Sequence, residues 1–198
     1  MKDFMEPFTN AEKKALLALA RWSIGRELGT AVPKNFFADF SSFVQEHPVL
    51  QQKMGAFVTL RKSGDLRGCI GNMIGRAPLH ETIMSMAISS AFHDPRFPPV
   101  KKEEFPEVSV EISVLSPLVN IDSTEELEPG EHGLYITRGF HSGVLLPQVA
   151  TEQGWNREEF VRHTCLKAGL PPGAVDEPDT RLEIFTAQIF CEEDLKLQ

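Results

Sequence analysis

A cysteine and an arginine stand two residues apart in Leu66-Arg67-Gly68-Cys69-Ile70-Gly71, with glycine next to both. The thiolate is the reactive form of cysteine, and a nearby guanidinium favours it by stabilising the negative charge. Side chains alternate along a strand, so an unbroken strand puts Arg67 and Cys69 on one face and Leu66, Gly68 and Ile70 on the other. At about 3.3 Å per residue the two functional groups stand roughly 6 to 7 Å apart, close enough for modest Coulombic help. Gly68 and Gly71 offer a strand nothing to pack. In such places glycine marks a bulge, or a close approach by another backbone or a ligand. The hexapeptide therefore reads as a site, with Cys69 as nucleophile or hydrogen-bonding wall, Arg67 as anion holder, and Gly68 and Gly71 beside the ligand. The competing reading is a packed core thiol, because free cysteine is among the most buried residue types.

A second cluster is His93-Asp94-Pro95-Arg96. Histidine titrates near neutrality and suits acid–base work. Adjacent side chains rarely point the same way, so Asp94 is the more natural closer of an Asx turn that Pro95 completes. Arg67, Arg96 and Arg138 each carry a planar fork of donors that fits a carboxylate or phosphate. Glu111 falls on the polar face of a strand, where a solvent-facing charge is the default and a ligand contact the exception. His132 and His141 bracket a hairpin at a spacing that matches no standard metal motif, so no metal site is expected. Walker A, GxGxxG and GxSxG patterns are missing.

The elements that must position these residues are partly readable. Thr9-Asn10-Ala11-Glu12 is a capping box that starts a helix running to about Leu28, with Gly29 ending it. The phenylalanine-rich stretch 31–48 (Phe36, Phe37, Phe40, Phe43) is left without a firm assignment. Residues 55–62 and 66–71 form a hairpin around Ser63-Gly64-Asp65. A helix follows from Pro78, with Leu79, Ile83, Met86, Ala87 and Ser90 on one side, until His93-Asp94-Pro95 stops it. Val108, Val110, Ile112 and Val114 alternate with Ser109, Glu111 and Ser113, predicting a strand with one buried face. A second hairpin spans 133–146, a helix starts at Asn156 and ends at Gly169, and a final strand covers 182–191. Helices interleaved with hairpins indicate α+β: a mixed, largely antiparallel sheet flanked by helices.

The chain's 198 residues suit one domain or a domain with a lobe. A net charge of -8 argues against nucleic-acid binding. No apolar run approaches the ~18 residues that a membrane span needs, and the beginning lacks a signal-peptide core. Cys69, Cys165 and Cys191 form no CxxC pair, so a reduced, cytoplasmic setting is expected.

Several collinear segments resemble the AMMECR domain family. They are the hexapeptide 66–71, His93-Asp94-Pro95-Arg96-Phe97, Glu111-Ile112-Ser113-Val114-Leu115-Ser116, the run from Gly143 to Ala150, and Trp155 with the helix reaching Cys165-Leu166-Lys167-Ala168-Gly169-Leu170. The resemblance implies one α+β domain over residues 8–192, with two lobes, the smaller expected near 30–75. It implies a prokaryotic type of a family that supplies neither an agreed catalytic residue nor a known cofactor. By association it implies Memo-type or radical-SAM proteins as partners.

Two functional readings follow. One is a cleft for a small anionic ligand, framed by Arg67, Gly68, Cys69, Gly71, His93, Arg96 and Glu111, with Cys69 and His93 as reactive groups. The other is a non-catalytic protein-interaction module that uses the Phe140-His141 loop and Phe36 to Phe43. The sequence alone does not decide whether the chain is an enzyme.

Overall fold

The computed structural model describes residues 5–195. In chain order the helices are α1 (Asn10–Glu27), α2 (Phe36–Glu46), α3 (Leu79–Phe92), α4 (Pro147–Gln153) and α5 (Arg157–Lys167). The strands are β1 (Gly55–Lys62), β2 (Asp65–Asn72), β3 (Val108–Leu115), β4 (Val119–Ile121), β5 (Gly133–Arg138), β6 (His141–Leu145), β7 (Arg181–Phe185) and β8 (Ala187–Cys191). They make two four-stranded antiparallel sheets, ordered β2-β1-β3-β8 and β4-β7-β5-β6. The α+β class expected from the sequence is the one observed.

Two compact units divide the chain: Ser116–Ala187, and Glu6–Leu115 together with the segment from Gln188 onward. Residues 30–75, the stretch expected to form a smaller lobe, lie inside the larger unit. The reason is that β1 hydrogen-bonds to both β2 and β3. The expected final strand is really two. Thr186 stands between β7 and β8, where its N–H donates to Ser116 Oγ at 2.9 Å and its C=O accepts from the Ser116 N–H at 3.0 Å. The two flanking strands join different sheets. Strand β4 and helices α2 and α4 were not assigned from the sequence.

In the larger unit, α1 begins at the capping box: Thr9 Oγ accepts from Glu12 N–H, and the Glu12 carboxylate accepts from Thr9 N–H at 2.7 Å. The chain leaves that helix through Gly29 at φ +63°. The hairpin turn Ser63-Gly64 has positive φ at both residues, 52° and 85°, the geometry that matches the right-handed twist of the flanking strands. Ala56, Val58 and Leu60 of β1 and Val110, Ile112 and Val114 of β3 are fully buried. Leu79, Ile83 and Ala87 of α3 and Leu16, Leu17, Leu19, Ala20 and Ile24 of α1 are equally buried. In the smaller unit, Leu134, Ile136, Phe160, Cys165 and Ile184 centre a separate core.

One contact fixes the distance between α3 and the sheet. A Cβ added to Gly68 would overlap the carbonyl oxygen of Ser90. The Ser90 hydroxyl donates to Val58 O at 2.7 Å and accepts from Ile70 N–H at 2.8 Å, bridging a cross-strand pair of β1 and β2. Gly71 is likewise filled, by the ring of its cross-strand partner Phe57.

Overpacking of this kind costs roughly 1–3 kcal/mol, so Gly68→Ala should lower unfolding stability by about that much in urea titrations. Gly173→Ala, where nothing lies within 4 Å and φ is ordinary, should stay within about 0.5 kcal/mol of the parent.

Candidate functional site

Strand β2 lies at the outer edge of its sheet, so one row of its backbone groups has no strand partner. At Cys69 that row is engaged by side chains. The Cys69 N–H donates to Asp94 Oδ2 at 2.8 Å, and its C=O accepts from Arg96 Nη2 at 3.0 Å. Asp94 is 4% exposed. It closes the expected Asx turn by accepting from Arg96 N–H at 3.1 Å, and also binds the Arg96 guanidinium through Nε at 2.9 Å and Nη2 at 2.7 Å. These guanidinium bonds, with the Cys69 N–H, hold the Asp94 carboxyl far below the usual carboxylate range against the opposing effect of burial. In return Arg96 is held more firmly protonated, first by Asp94 and further by the Cys69 group.

The Cys69 thiol is half-buried, and its sulfur accepts a hydrogen bond from Thr59 Oγ1 at 3.3 Å. Register places Thr59 opposite both Cys69 and Glu111, so the three residues form one row across β2, β1 and β3. Glu111 pairs with Arg61 at 3.6 Å. His93 caps the end of α3, exposed to solvent.

Arg67 is not the cation beside the thiol. Leu60 pairs with Gly68 and Arg61 with Leu66, leaving Arg67 as the extra residue of a β-bulge. A bulge breaks the two-residue alternation, which is why strict strand periodicity misdirects this side chain. Its guanidinium instead binds Glu104 through Nη2 at 2.8 Å and Nε at 3.2 Å. Lys62 joins the same carboxylate at 3.7 Å. Arg67 first, then the Lys101 N–H and Lys62, hold the Glu104 carboxyl at about 2 despite its burial.

Each arginine singled out in the sequence thus has its own carboxylate, Arg138 pairing with Asp179 at 2.9 Å. Among the described residues no group of three or more His, Cys, Asp or Glu side chains is placed to hold a metal ion, and no helix is long and apolar enough to cross a membrane. Sequence reasoning missed Thr59 and Glu104, and placed Ser90 on the inner side of its helix without its bridging hydrogen bonds. Only strand register could have flagged Thr59, and nothing in the Lys101-Lys102-Glu103-Glu104 run distinguishes the second glutamate.

Both depressed carboxyls set an acid limb of stability. A carboxyl whose folded pKa is lowered contributes fully above its unfolded pKa and loses that contribution as pH falls toward the folded value. The Glu104 share should disappear between about 4.5 and about 2, and the Asp94 share should persist to lower pH. Glu104→Gln should therefore melt lower than the parent at pH 7, with a flatter fall in Tm between pH 5 and 2. Parallel Tm profiles would refute the Arg67–Glu104 assignment.

The AMMECR1 family model matches residues 17–190 of the chain. A protein of Methanothermobacter thermautotrophicus is 42% identical over 193 residues, covering 94% of this chain and 97% of its own length. One from Thermococcus gammatolerans is 49% identical over 156 residues, covering 74% and 76%. The crystal structure of the uncharacterized protein PH0010 from Pyrococcus horikoshii superposes with a TM-score of 0.74 at 43% identity, covering 90% of each chain. With the fold and most of its length in common with these relatives, the chain belongs to the AMMECR1 family.

Proposed function

We propose that the chain holds a small anionic ligand at Cys69, with the thiol as the ligand-facing or nucleophilic group and Arg96 as the anion holder. The observation that carries this reading is the treatment of one residue. Cys69 is only partly buried and its sulfur accepts from Thr59, while its own N–H and C=O are engaged by Asp94 and Arg96. Reactive groups held on a rigid element with their backbone fixed are what binding and catalysis require. A buried packing cysteine needs none of this.

The other roles follow from that centre. Arg96 uses Nε and Nη2 for Asp94 and Cys69, leaving Nη1 for an anionic group. Glu111 lies at the far end of the Cys69–Thr59 row, where it can orient a polar ligand. His93 precedes Asp94 with its ring in solvent and serves as the proton donor or acceptor. Arg67 acts as a positioning residue, tying the bulge to Glu104. Gly68 and Gly71 let α3 and Phe57 close on the strand.

The test is the alkylation rate of each cysteine in the folded chain, followed by peptide mass spectrometry with iodoacetamide. Burial pushes the Cys165 and Cys191 thiols up, so Cys69 should modify at least about tenfold faster than either. Arg96→Gln and Thr59→Val should each slow Cys69 severalfold. A Cys69 that stays unmodified until urea unfolds the protein would sink the reading.

A second reading, a protein-interaction module acting with Memo-type or radical-SAM partners, draws on Phe140, whose side chain is fully exposed at the tip of the β5–β6 hairpin. Large exposed apolar groups mark interaction sites when they are contiguous. Under this reading a purified Memo-type protein should co-elute with the parent chain and not with Phe140→Ser. Separate elution of the parent and that protein would count against it.

A further inference from the structure

We propose that a cleft between α1 and residues 30–36, separate from the Cys69 centre, binds a small planar aromatic acid. The cleft has a volume of 310 Å³; Trp22, Phe36 and Phe105 form its aromatic wall, and Ala18, Arg21 and Thr30 are among its other lining residues. That size is at the low end of small-molecule sites. An apolar cavity of about 150 Å³ already holds benzene, so this one suits a fused bicyclic ring with a short side chain.

The wall is built for a flat ring. Trp22 stacks on Phe36 at 5.4 Å and 19°, and on Phe37 at 5.6 Å and 28°. Aromatic rings prefer such offset partners, and a further ring can extend the set. The phenylalanine-rich stretch thereby gains a role that core packing does not explain: Phe40 is buried, whereas Phe37 is 47% exposed.

Two polar observations specify the ligand's other end. The Trp22 indole N–H is buried and, among the described residues, has no hydrogen-bond partner, although a buried indole usually finds one. An acceptor reaches that N–H only when a stacked ring shifts, and Phe37, at the edge of the cleft, is the more exposed of the two rings that stack on the indole. The second observation is Arg26, whose guanidinium stands over the Trp22 ring, 5.4 Å from its centroid. Among the described residues it makes no ion pair. Arg21, five residues earlier and over Phe105 at 5.0 Å, is by contrast committed to Glu192 and to Val108 O. A carboxylate supplies both missing complements, an acceptor for the indole and a countercharge for Arg26. A neutral hydrocarbon supplies neither, and a polyphosphate would need several more donors than this wall offers.

The experiment is a titration of ¹⁵N-labelled full chain with indole-3-acetate, following the two indole N–H signals by NMR. Trp155→Phe assigns them, since Trp22 and Trp155 are the chain's two tryptophans. The Trp22 signal should shift saturably while the Trp155 signal stays in place. Arg26→Gln, and replacement of the ligand by neutral indole, should each weaken binding about fivefold or more. Ala18→Phe, at an exposed position in the cleft wall, should abolish the shift without lowering Tm. No saturable shift, a shift that survives Ala18→Phe, or equal affinity for neutral indole would overturn the proposal. Cys69 alkylation is independent of every one of these readouts.

Discussion

A buried carboxylate holds the end of α3 against the open edge of β2. Asp94 accepts from the Cys69 N–H and from the Arg96 guanidinium, and Arg96 returns to the Cys69 carbonyl. A carboxylate with almost no solvent access is stable only when its oxygens are fully used by donors, and here every donor comes from two short segments. The arrangement works because the helix has already been brought within contact of the strand by Gly68, whose missing Cβ admits the Ser90 carbonyl. Packing sets the separation, and the charged turn then fixes what faces solvent at Cys69.

Local pairing governs the electrostatics more than the net charge of -8 does. Arg67, Arg96 and Arg138 each meet a carboxylate close by. The Arg138 pair, with its exposed carboxylate, contributes little to stability, whereas the carboxylates of Arg67 and Arg96 are largely buried; all three pairs decide which guanidinium groups remain available to a ligand. Arg96 offers a partly free fork because its carboxylate, although buried, engages only two of its three nitrogens. Arg26, which makes no ion pair among the described residues, is held over an aromatic ring.

The sequence carried the fold well where pattern and punctuation agreed. The capping box at Thr9 and the stripe from Leu79 to Ser90 appear in the structure as read, and the alternation from Val108 holds through Ile112, after which Ser113 is buried as well. It failed where a single residue changed the rule. Thr186 divides one apolar run between two sheets, and no local propensity marks such a switch. Asn35 makes no side-chain cap for α2, so that helix had no start signal. Around the site, the Asx turn at Asp94 was legible from the Asp-Pro dipeptide, but its grip on Cys69 joins residues 25 positions apart. Spacing along the chain says nothing about such a pair.

The bulge at Arg67 shows how the same six residues support two different chemistries. Read as a regular strand, the hexapeptide pairs its own arginine with its own cysteine. One extra residue opposite Leu60 and Arg61 sends that arginine to Glu104, and the guanidinium that reaches Cys69 comes from another segment, Arg96 donating to its C=O. Arg67 then ties the bulge to Glu104, while Cys69 sits in the regular register opposite Thr59. Arg67 is tied to Glu104 at the bulge, whereas Arg96 bonds the Cys69 C=O directly. The two arginines are therefore separable by experiment even though both belong to one small centre.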